Sequence, residues 1–235
     1  MEREDIISTL KHDLGVQKEI IALQVLQQPP SEIPHYRGEA SPGMCALVGE
    51  ILQQHTLWYV TRENLGCFEA LTGTGTCENL PREQYLEFMI GQNRNWPMHK
   101  DTETLIDYYT RVDAFFRHPE VSGSGLVVGP LARVEQPDLV LLFVTPHQAD
   151  ILSRILAFYG DFARGFGGMG GCIFNIRYTF MTGDPCFSTS DTAWRMFAGL
   201  DESELTYTFP YGRLLEIGDR IRPTAGYVNA FKSMF

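Results

Sequence analysis

A buried strand that runs directly into a capped helix constrains the fold of this chain more than any other feature. Residues 139–144, Leu-Val-Leu-Leu-Phe-Val, are apolar throughout, as in a strand that is covered on both faces of a sheet. Thr145 follows as a cap residue, Pro146 takes the first helical position, and Gln148 lies three residues after the cap. The sequence therefore predicts a helix from this point to about residue 159.

Helix-like and strand-like patterns alternate along much of the 235-residue chain. They predict helices over residues 2–14, 41–54, 81–92, 102–116, 146–159 and 191–197, with a last helix from 211. Gly15 is placed to end the first of these helices. They predict strands over residues 20–26, 57–61, 125–128, 139–144, 172–181 and 204–209. This order is typical of a mixed α/β or α+β fold with a central mixed sheet flanked by helices. We expect a single domain over 1–235, in which two halves, about 15–100 and 125–222, are loosely alike.

Composition limits the classes of partner. Hydrophobic residues make up 44% of the chain, which is ample for a packed core. The net charge of −10 repels phosphate backbones, so general nucleic-acid binding is not expected. A local basic pocket for a small anion is still compatible with this charge.

The sequence predicts a cytosolic protein without a membrane segment. The first ten residues carry charges where a signal peptide needs an apolar core, and the apolar run 139–144 is far too short to cross a bilayer. An odd number of cysteines, five, is poor support for disulfides in a reducing compartment. The thiols are therefore free, metal ligands or a nucleophile.

The glycine stretch, which we define as residues 165–171, contains five glycines in seven residues and is followed at once by Cys172. Phosphate-binding glycines normally follow a strand and open a helix. Because a strand is predicted over 172–181, the order here is reversed, which argues against a nucleotide site. A tight turn that needs positive φ and a close approach of the main chain to a ligand stay open as alternatives.

A pocket for a small anionic ligand is a second prediction from the residues. The helix start at Thr145 places free amides and the positive end of a helix dipole at the edge of the sheet. Arg195 lies among apolar neighbours and either pairs with a carboxylate or clamps an anion. The alternative is that Thr145 caps the helix and His147 is merely solvated. The residues assigned to this pocket are Thr145, His147, Gly168, Gly170, Gly171 and Arg195.

The cysteines allow three interpretations. They lack the compact spacing of zinc knuckles, yet a folded scaffold can gather thiolates from distant loops around a metal or an iron–sulfur cluster. Free cysteine also behaves as a small apolar side chain, which gives inert buried thiols as the second interpretation. The third is a catalytic nucleophile, for which Cys172 is the weak candidate because the glycine amides before it can form an oxyanion hole.

Several phrases together resemble a known family, the domain-of-unknown-function family 169, which is found mainly in methanogenic archaea and anaerobic bacteria. The phrases are Tyr59-Val-Thr-Arg-Glu-Asn-Leu-Gly-Cys67, Pro137-Asp-Leu-Val, Pro146-His-Gln-Ala149, Gly171-Cys172, and the tail that runs from Arg195 through Asp201-Glu-Ser-Glu204 and Phe209-Pro210 to Leu214. Their order covers about residues 15–220. The resemblance brings no established activity, but an anaerobic setting favours an oxygen-sensitive metal centre.

The resemblance implies a set of metal ligands, because cysteines are common in the family at the positions of Cys45, Cys67 and Cys172. The segment before Arg195 often holds a Cys and a Gly in the family, whereas here it reads Asp191-Thr-Ala-Trp. Cys186 is therefore the expected fourth ligand, with Cys77 as its alternative.

Three hypotheses about function follow. The first is a metal or iron–sulfur binding or redox protein built on these cysteines. The second is an enzyme or carrier for a small anionic ligand, and the third is a scaffold or subunit without chemistry. The expected partners are a small molecule or a metal cofactor, and a homo-oligomer is compatible with the sequence.

Overall fold

A mixed sheet of seven strands organises the described part of the chain, which a computed structural model gives as residues 1–37, 43–66, 69–78, 81, 83–84, 86–87, 99–111, 120–167 and 171–232. The strands are β1 (Ile21–Leu26), β2 (Trp58–Val60), β3 (Gly125–Pro130), β4 (Leu139–Val144), β5 (Arg164–Phe166), β6 (Cys186–Ser188) and β7 (Leu205–Pro210). Their order in the sheet is β2-β3-β1-β4-β7-β6-β5. Neighbouring strands are antiparallel except for the parallel pair β5 and β6.

Helices lie against both faces of this sheet. They are α1 (Arg3–Ser8, continued by a π-helical turn Thr9–Asp13), α2 (Met44–Gln54), α3 (Glu69–Gly73), α4 (Thr102–Arg111), α5 (Pro146–Phe158), α6 (π-helical Cys172–Arg177, then Tyr178–Thr182), α7 (Thr192–Phe197), α8 (Tyr211–Ile217) and α9 (Ile221–Lys232). A 3₁₀ turn, Gly218–Arg220, joins α8 to α9.

Two apolar clusters, one on each face, form the core. On the terminal-helix face, which α1, α5, α8 and α9 cover, the sheet contributes side chains such as Val140 and Leu142. On the glycine-stretch face, which α2, α3, α6 and α7 cover, it contributes Leu141 and Phe143. Alternate residues of β4 thus point to opposite faces, and all six residues of β4 are buried.

The main sequence predictions are confirmed. The fold is mixed, with a central mixed sheet flanked by helices. β4 spans the predicted residues, and α5 begins with the predicted capping box. α1 ends before Gly15, which adopts a φ of +79° that favours glycine. The similarity of the two halves stays a prediction.

Several local predictions were wrong. The strand predicted over 172–181 is the helix α6, while β5, β6 and α3 were not predicted. α2 begins at Met44 after Gly43 as N-cap, whereas the predicted cap, Ser41, lies outside the described residues. Most of the helix predicted over 81–92 and residues 112–116 of the next one also lie outside them.

A helix that combines the length and the apolarity needed to cross a bilayer does not occur among the described residues.

Candidate functional site

The glycine stretch lies at one end of the sheet, where several chain connections meet. Phe166 is in register with Ser188, Ser188 with Thr206, and Val144 with Leu205. The carboxyl ends of β4, β5 and β6 and the amino end of β7 therefore share this end of the sheet. Predicted site residues from three separate parts of the sequence come to this end, although on different faces.

The glycine stretch connects a strand to a helix. β5 ends at Phe166, and the chain is already helical at Gly171, just before Cys172. The order strand, glycines, helix is the order of phosphate-binding loops, so the argument from a reversed order no longer applies. Gly168 and Gly170, two of the predicted ligand-binding residues, lie outside the described residues.

Gly171 packs directly against the indole of Trp194. A Cβ at Gly171 would lie 2.4 Å from both Cδ1 and Nε1 of Trp194, so only glycine fits here without a shift. Asp191 joins the two helices, because its carboxylate accepts the Gly171 amide at 2.7 Å and the Trp194 amide at 2.9 Å. The start of α6 is thus held against the start of α7.

Trp194 carries a buried donor that has no acceptor among the described residues. Its side chain is 1% exposed, and Nε1 makes no hydrogen bond within the described structure. Buried N–H groups are nearly always paired, because leaving one unpaired costs about 1–3 kcal/mol. The Trp194 N–H of α7 is therefore an unused hydrogen-bond donor at the beginning of α6, where Gly171 has no side chain.

A polar cluster lies buried beneath α6. Asn175 is fully buried, donates to the Thr206 carbonyl at 3.0 Å and accepts from the Ser188 hydroxyl at 2.6 Å. The hydroxyls of Ser190 and Thr206 lie 2.6 Å apart. These bonds fasten α6 to β6 and β7, so the helix sits on a polar part of the sheet rather than on an apolar one.

Two oppositely charged side chains are buried on neighbouring elements. Arg177 of α6 is 1% exposed and Glu69 of α3 is 7% exposed. The two elements pack closely, since a Cβ at Gly73 would lie 2.6 Å from the Cβ of Arg177. Charges are rarely taken out of water without a compensating group, so the folded state requires compensating charges or hydrogen bonds around Arg177 and Glu69.

The cysteines divide between two environments. Cys45, in the first turn of α2, and Cys172, at the start of α6, belong to the same apolar cluster, and the half-buried Cys77 packs against it. Cys186 lies apart from that cluster, on β6. Cys67 lies outside the described residues.

Cys186 is held in the polar cluster as a thiol. Its sulfur accepts from the Thr179 hydroxyl at 3.3 Å and lies 3.8 Å from the Asn175 carbonyl oxygen. Burial raises the pKa of the Cys186 thiol from its ordinary 9.0 to about 12. Cys186 is therefore neutral at neutral pH in this arrangement.

A preformed cluster of metal ligands is absent from the described residues, where no three His, Cys, Asp or Glu side chains are grouped suitably. Because Cys67 is not among these residues, the metal site with Cys45, Cys67, Cys172 and Cys186 stays a prediction. His147 and Cys172 belong to opposite faces of the sheet, so His147 is not placed to serve as a base for that thiol.

The helix start at Thr145 makes several hydrogen bonds within the chain, and its role in binding an anion stays a prediction. The Thr145 amide donates to Gln148 Oε1 at 2.8 Å, and its hydroxyl accepts the Gln148 amide at 3.3 Å. The Gln148 Nε2 group donates to the carbonyls of Leu14 and Gly15. His147 Nε2 lies 3.2 Å from Asn229 Oδ1. These contacts tie α5 to α9 and to the turn after α1.

Arg195 connects two loop segments through three hydrogen bonds. Its two terminal nitrogens donate to the carbonyls of Thr189 at 2.5 Å, Asp201 at 2.6 Å and Glu204 at 3.2 Å. These acceptors follow β6 and precede β7, so the guanidinium links the two loops at this end of the sheet. The acceptors of these bonds are main-chain carbonyls rather than a carboxylate, and an anion at Arg195 stays a prediction.

Sequence reasoning missed the polar cluster and Trp194. The signal was Asn175 and Arg177 inside an otherwise apolar run, but a predicted strand would have sent alternate side chains to solvent and left their burial unnoticed. Glu69 carried no pattern of its own, since it lies in a segment that was predicted as a loop.

Together, the fold and the site define a mixed α/β protein in three layers, with a glycine-rich strand-to-helix connection over a buried polar cluster. The chain belongs to the domain-of-unknown-function family 169, described as "Uncharacterised ArCR", whose model matches residues 9–220. This confirms the resemblance seen in the sequence.

Comparison with curated proteins finds a similar segment in the "Transcriptional regulator fogI" of Aspergillus ruber (strain CBS 135680). The two are 30% identical over 118 residues, which is 47% of this chain and 28% of that protein. The chain therefore spans well under half of the length of this relative. No solved structure matches the chain.

Proposed function

We propose that this chain is a ligand-binding domain whose site, at the glycine stretch, takes a small molecule with an anionic group. The observation that carries the proposal is the strand–glycine–helix connection beside the unpaired indole N–H of Trp194. Each of these features favours a hydrogen-bond acceptor or an anion at the same place.

The physical argument rests on three kinds of donor. Helix-terminal amides and the helix dipole favour negative charge at the start of α6. The Trp194 N–H supplies a buried donor, and Arg164 on β5 adds a positive charge at the start of the same connection. Because Asp191 already accepts the Gly171 amide, the ligand uses the indole and other main-chain amides of the stretch.

The similarity to a transcriptional regulator fits a sensing role. The shared segment is 28% of the length of that protein, and the net charge of −10 of this chain opposes contact with a DNA backbone. We therefore assign ligand sensing, rather than DNA contact, to the shared region. The cytosolic location belongs to this proposal, as does a mode of action that needs no catalytic step.

Titration with inorganic phosphate and pyrophosphate tests the site. Protein labelled with fluorotryptophan gives separate fluorine NMR signals for its three tryptophans, and Trp194→Phe assigns the signal of interest. We expect the Trp194 signal to shift on addition of pyrophosphate.

Gly167→Gln provides the matching variant, because a Cβ at Gly167 would meet no described heavy atom within 4 Å, so we expect the variant to fold. It should weaken pyrophosphate binding by about tenfold or more, since the new side chain occupies the approach to the amides. The control is Gly212→Gln, at an equally open position in α8. Equal binding by both variants, or no binding of either anion, would contradict the proposal.

A second candidate function is a thiolate-bound metal or iron–sulfur centre. It is favoured by the presence of Cys45 and Cys172 in one cluster, with Cys67 expected to join them. Anaerobic purification should then give a brown protein with visible absorption. Comparison of Cys186→Ser with Cys77→Ser identifies the fourth ligand, and colourless, metal-free protein rejects this candidate.

If both candidates fail, the scaffold hypothesis is left. Serine at every cysteine should then lower stability only through packing losses, typically about 1–3 kcal/mol for each change.

A further inference from the structure

A groove lies at the outer edge of the sheet, beyond β2 and far along the sheet order from the glycine stretch. Its volume is about 510 Å³, within the range of sites for small organic ligands. We call it the edge groove. Its lining includes Pro30, Ile33, Pro34, His35, Arg37 and Trp58.

The main chain holds the walls of the edge groove in place. Tyr36 N donates to the Tyr59 carbonyl at 2.9 Å, and Tyr59 N donates to the Pro34 carbonyl at 3.0 Å. The segment after β1 thus pairs with the outer side of β2. Its prolines restrict the backbone further, so little ordering is needed when a ligand binds.

Two part-buried hydrogen bonds to Glu50 fix the aromatic wall. Glu50 of α2 accepts from Trp58 Nε1 at 3.0 Å through one oxygen and from the Tyr36 hydroxyl at 3.1 Å through the other. The rings of Tyr36 and Trp58 meet edge to face, with centroids 5.4 Å apart. The Trp58 ring is therefore oriented before any ligand arrives.

Two side chains at the groove, Arg37 and His35, have nitrogen atoms that are available to a ligand. Within the described structure, neither the Arg37 guanidinium nor a ring nitrogen of His35 has a hydrogen-bond or ion-pair partner, although the His35 ring packs on Tyr59. The described residues that line the groove include no carboxylate. In a chain with a net charge of −10, this is a local site that favours an anion.

We infer that the edge groove binds a planar aromatic carboxylate. Trp58, the prolines and Ile33 offer apolar surface for a flat ring, against which aromatic groups pack well. Arg37 offers the planar fork of donors that matches a carboxylate with two hydrogen bonds. This site is separate from the proposed anion site at the glycine stretch and does not depend on it.

2-Naphthoate is the probe that tests this inference, with 2-naphthalenemethanol as a neutral analogue of similar shape. In fluorotryptophan-labelled protein, naphthoate should shift the signal of Trp58, assigned with Trp58→Phe, and leave that of Trp194 in place. The alcohol should bind at least about tenfold more weakly, because it lacks the charge that Arg37 recognises.

Arg37→Gln keeps an exposed polar side chain and should weaken naphthoate binding by about tenfold or more. Arg154→Gln is the matched control, because Arg154 is an exposed arginine of α5 that pairs with Asp150. Naphthoate that binds Arg37→Gln as tightly as the wild-type protein overturns the inference. So does naphthoate that shifts Trp194 instead of Trp58, or that shifts neither.

Discussion

Replacement of Arg195 by alanine distinguishes a role of this residue in stability from a role in ligand binding. The guanidinium donates to the carbonyls of Thr189, Asp201 and Glu204, so Arg195→Ala leaves three acceptors without their donor. Hydrogen bonds from a charged group contribute about 1.5–3 kcal/mol each when shielded from water. Because Arg195 is only partly buried, we expect a total loss of about 2–3 kcal/mol rather than the full sum.

Thermal unfolding measures this loss. For a chain of this size, 1 kcal/mol corresponds to about 2–4 °C in Tm, so Arg195→Ala should unfold about 4–12 °C below the wild-type protein. Arg195→Lys should recover only part of the loss, because one ammonium group cannot reach three carbonyls along the guanidinium fork. Arg154→Ala is the control, since its exposed pair with Asp150 contributes about 0.3–0.5 kcal/mol.

The result that refutes this reasoning is an Arg195→Ala protein with the wild-type Tm and reduced pyrophosphate binding. Such a protein would show that the guanidinium acts on a ligand and that its three carbonyl contacts contribute nothing to stability.

Three further perturbations test other parts of the structure. Gly49→Ala should lower the free energy of unfolding, measured in urea, by about 3 kcal/mol, because its Cβ would lie 1.9 Å from the Phe197 carbonyl oxygen. Gly226→Ala is the control and should be neutral or slightly stabilising, because a Cβ there has open space around it. Asn175→Ala should also cost about 3 kcal/mol, because it removes one buried hydrogen bond to β6 and one to β7; a loss under about 1 kcal/mol would contradict the account of the polar cluster. Cys186 should resist alkylation in the native protein at mildly alkaline pH. Its raised pKa of about 12 means that the neutral thiol stabilises the fold fully below pH 9 and progressively less as the pH rises from there towards 12, so wild-type protein should lose more stability over this range than Cys186→Ala.

Sequence reasoning recovered the parts of the fold in which local signals and burial agree. β4 is apolar on both faces, and its capped helix contains a cap residue, a proline and a glutamine in the expected positions. Gly15 marked the end of α1 for a similar reason, since its φ of +79° suits glycine. In each case one short segment contained enough information to decide its own structure.

The strand predicted over 172–181 shows where such reasoning failed. Polar Asn175, Arg177 and Thr179 alternate with apolar residues, and many of the residues are aromatic or β-branched, which is typical of a strand. The structure instead buries both sets of side chains, since these three polar residues are at most 1% exposed. A helix can do so here because β6 and β7 supply polar partners, which are distant in sequence and leave no local signal.

The distribution of buried polar groups supports the proposed ligand site more strongly than any single motif does. The terminal-helix face is packed almost entirely by apolar side chains. On the other face, the buried charges of Glu69 and Arg177 and the amide of Asn175 lie on α3 and α6, close to the glycine stretch. Such groups are costly to bury and are tolerated only when their partners are arranged with accuracy. Replacement of Glu69, Arg177 and Asn175 by well-packed apolar residues would be expected to stabilise such a fold. That the chain contains them beside the Trp194 donor, which is unpaired among the described residues, is the reason to test the proposed ligand site at the glycine stretch.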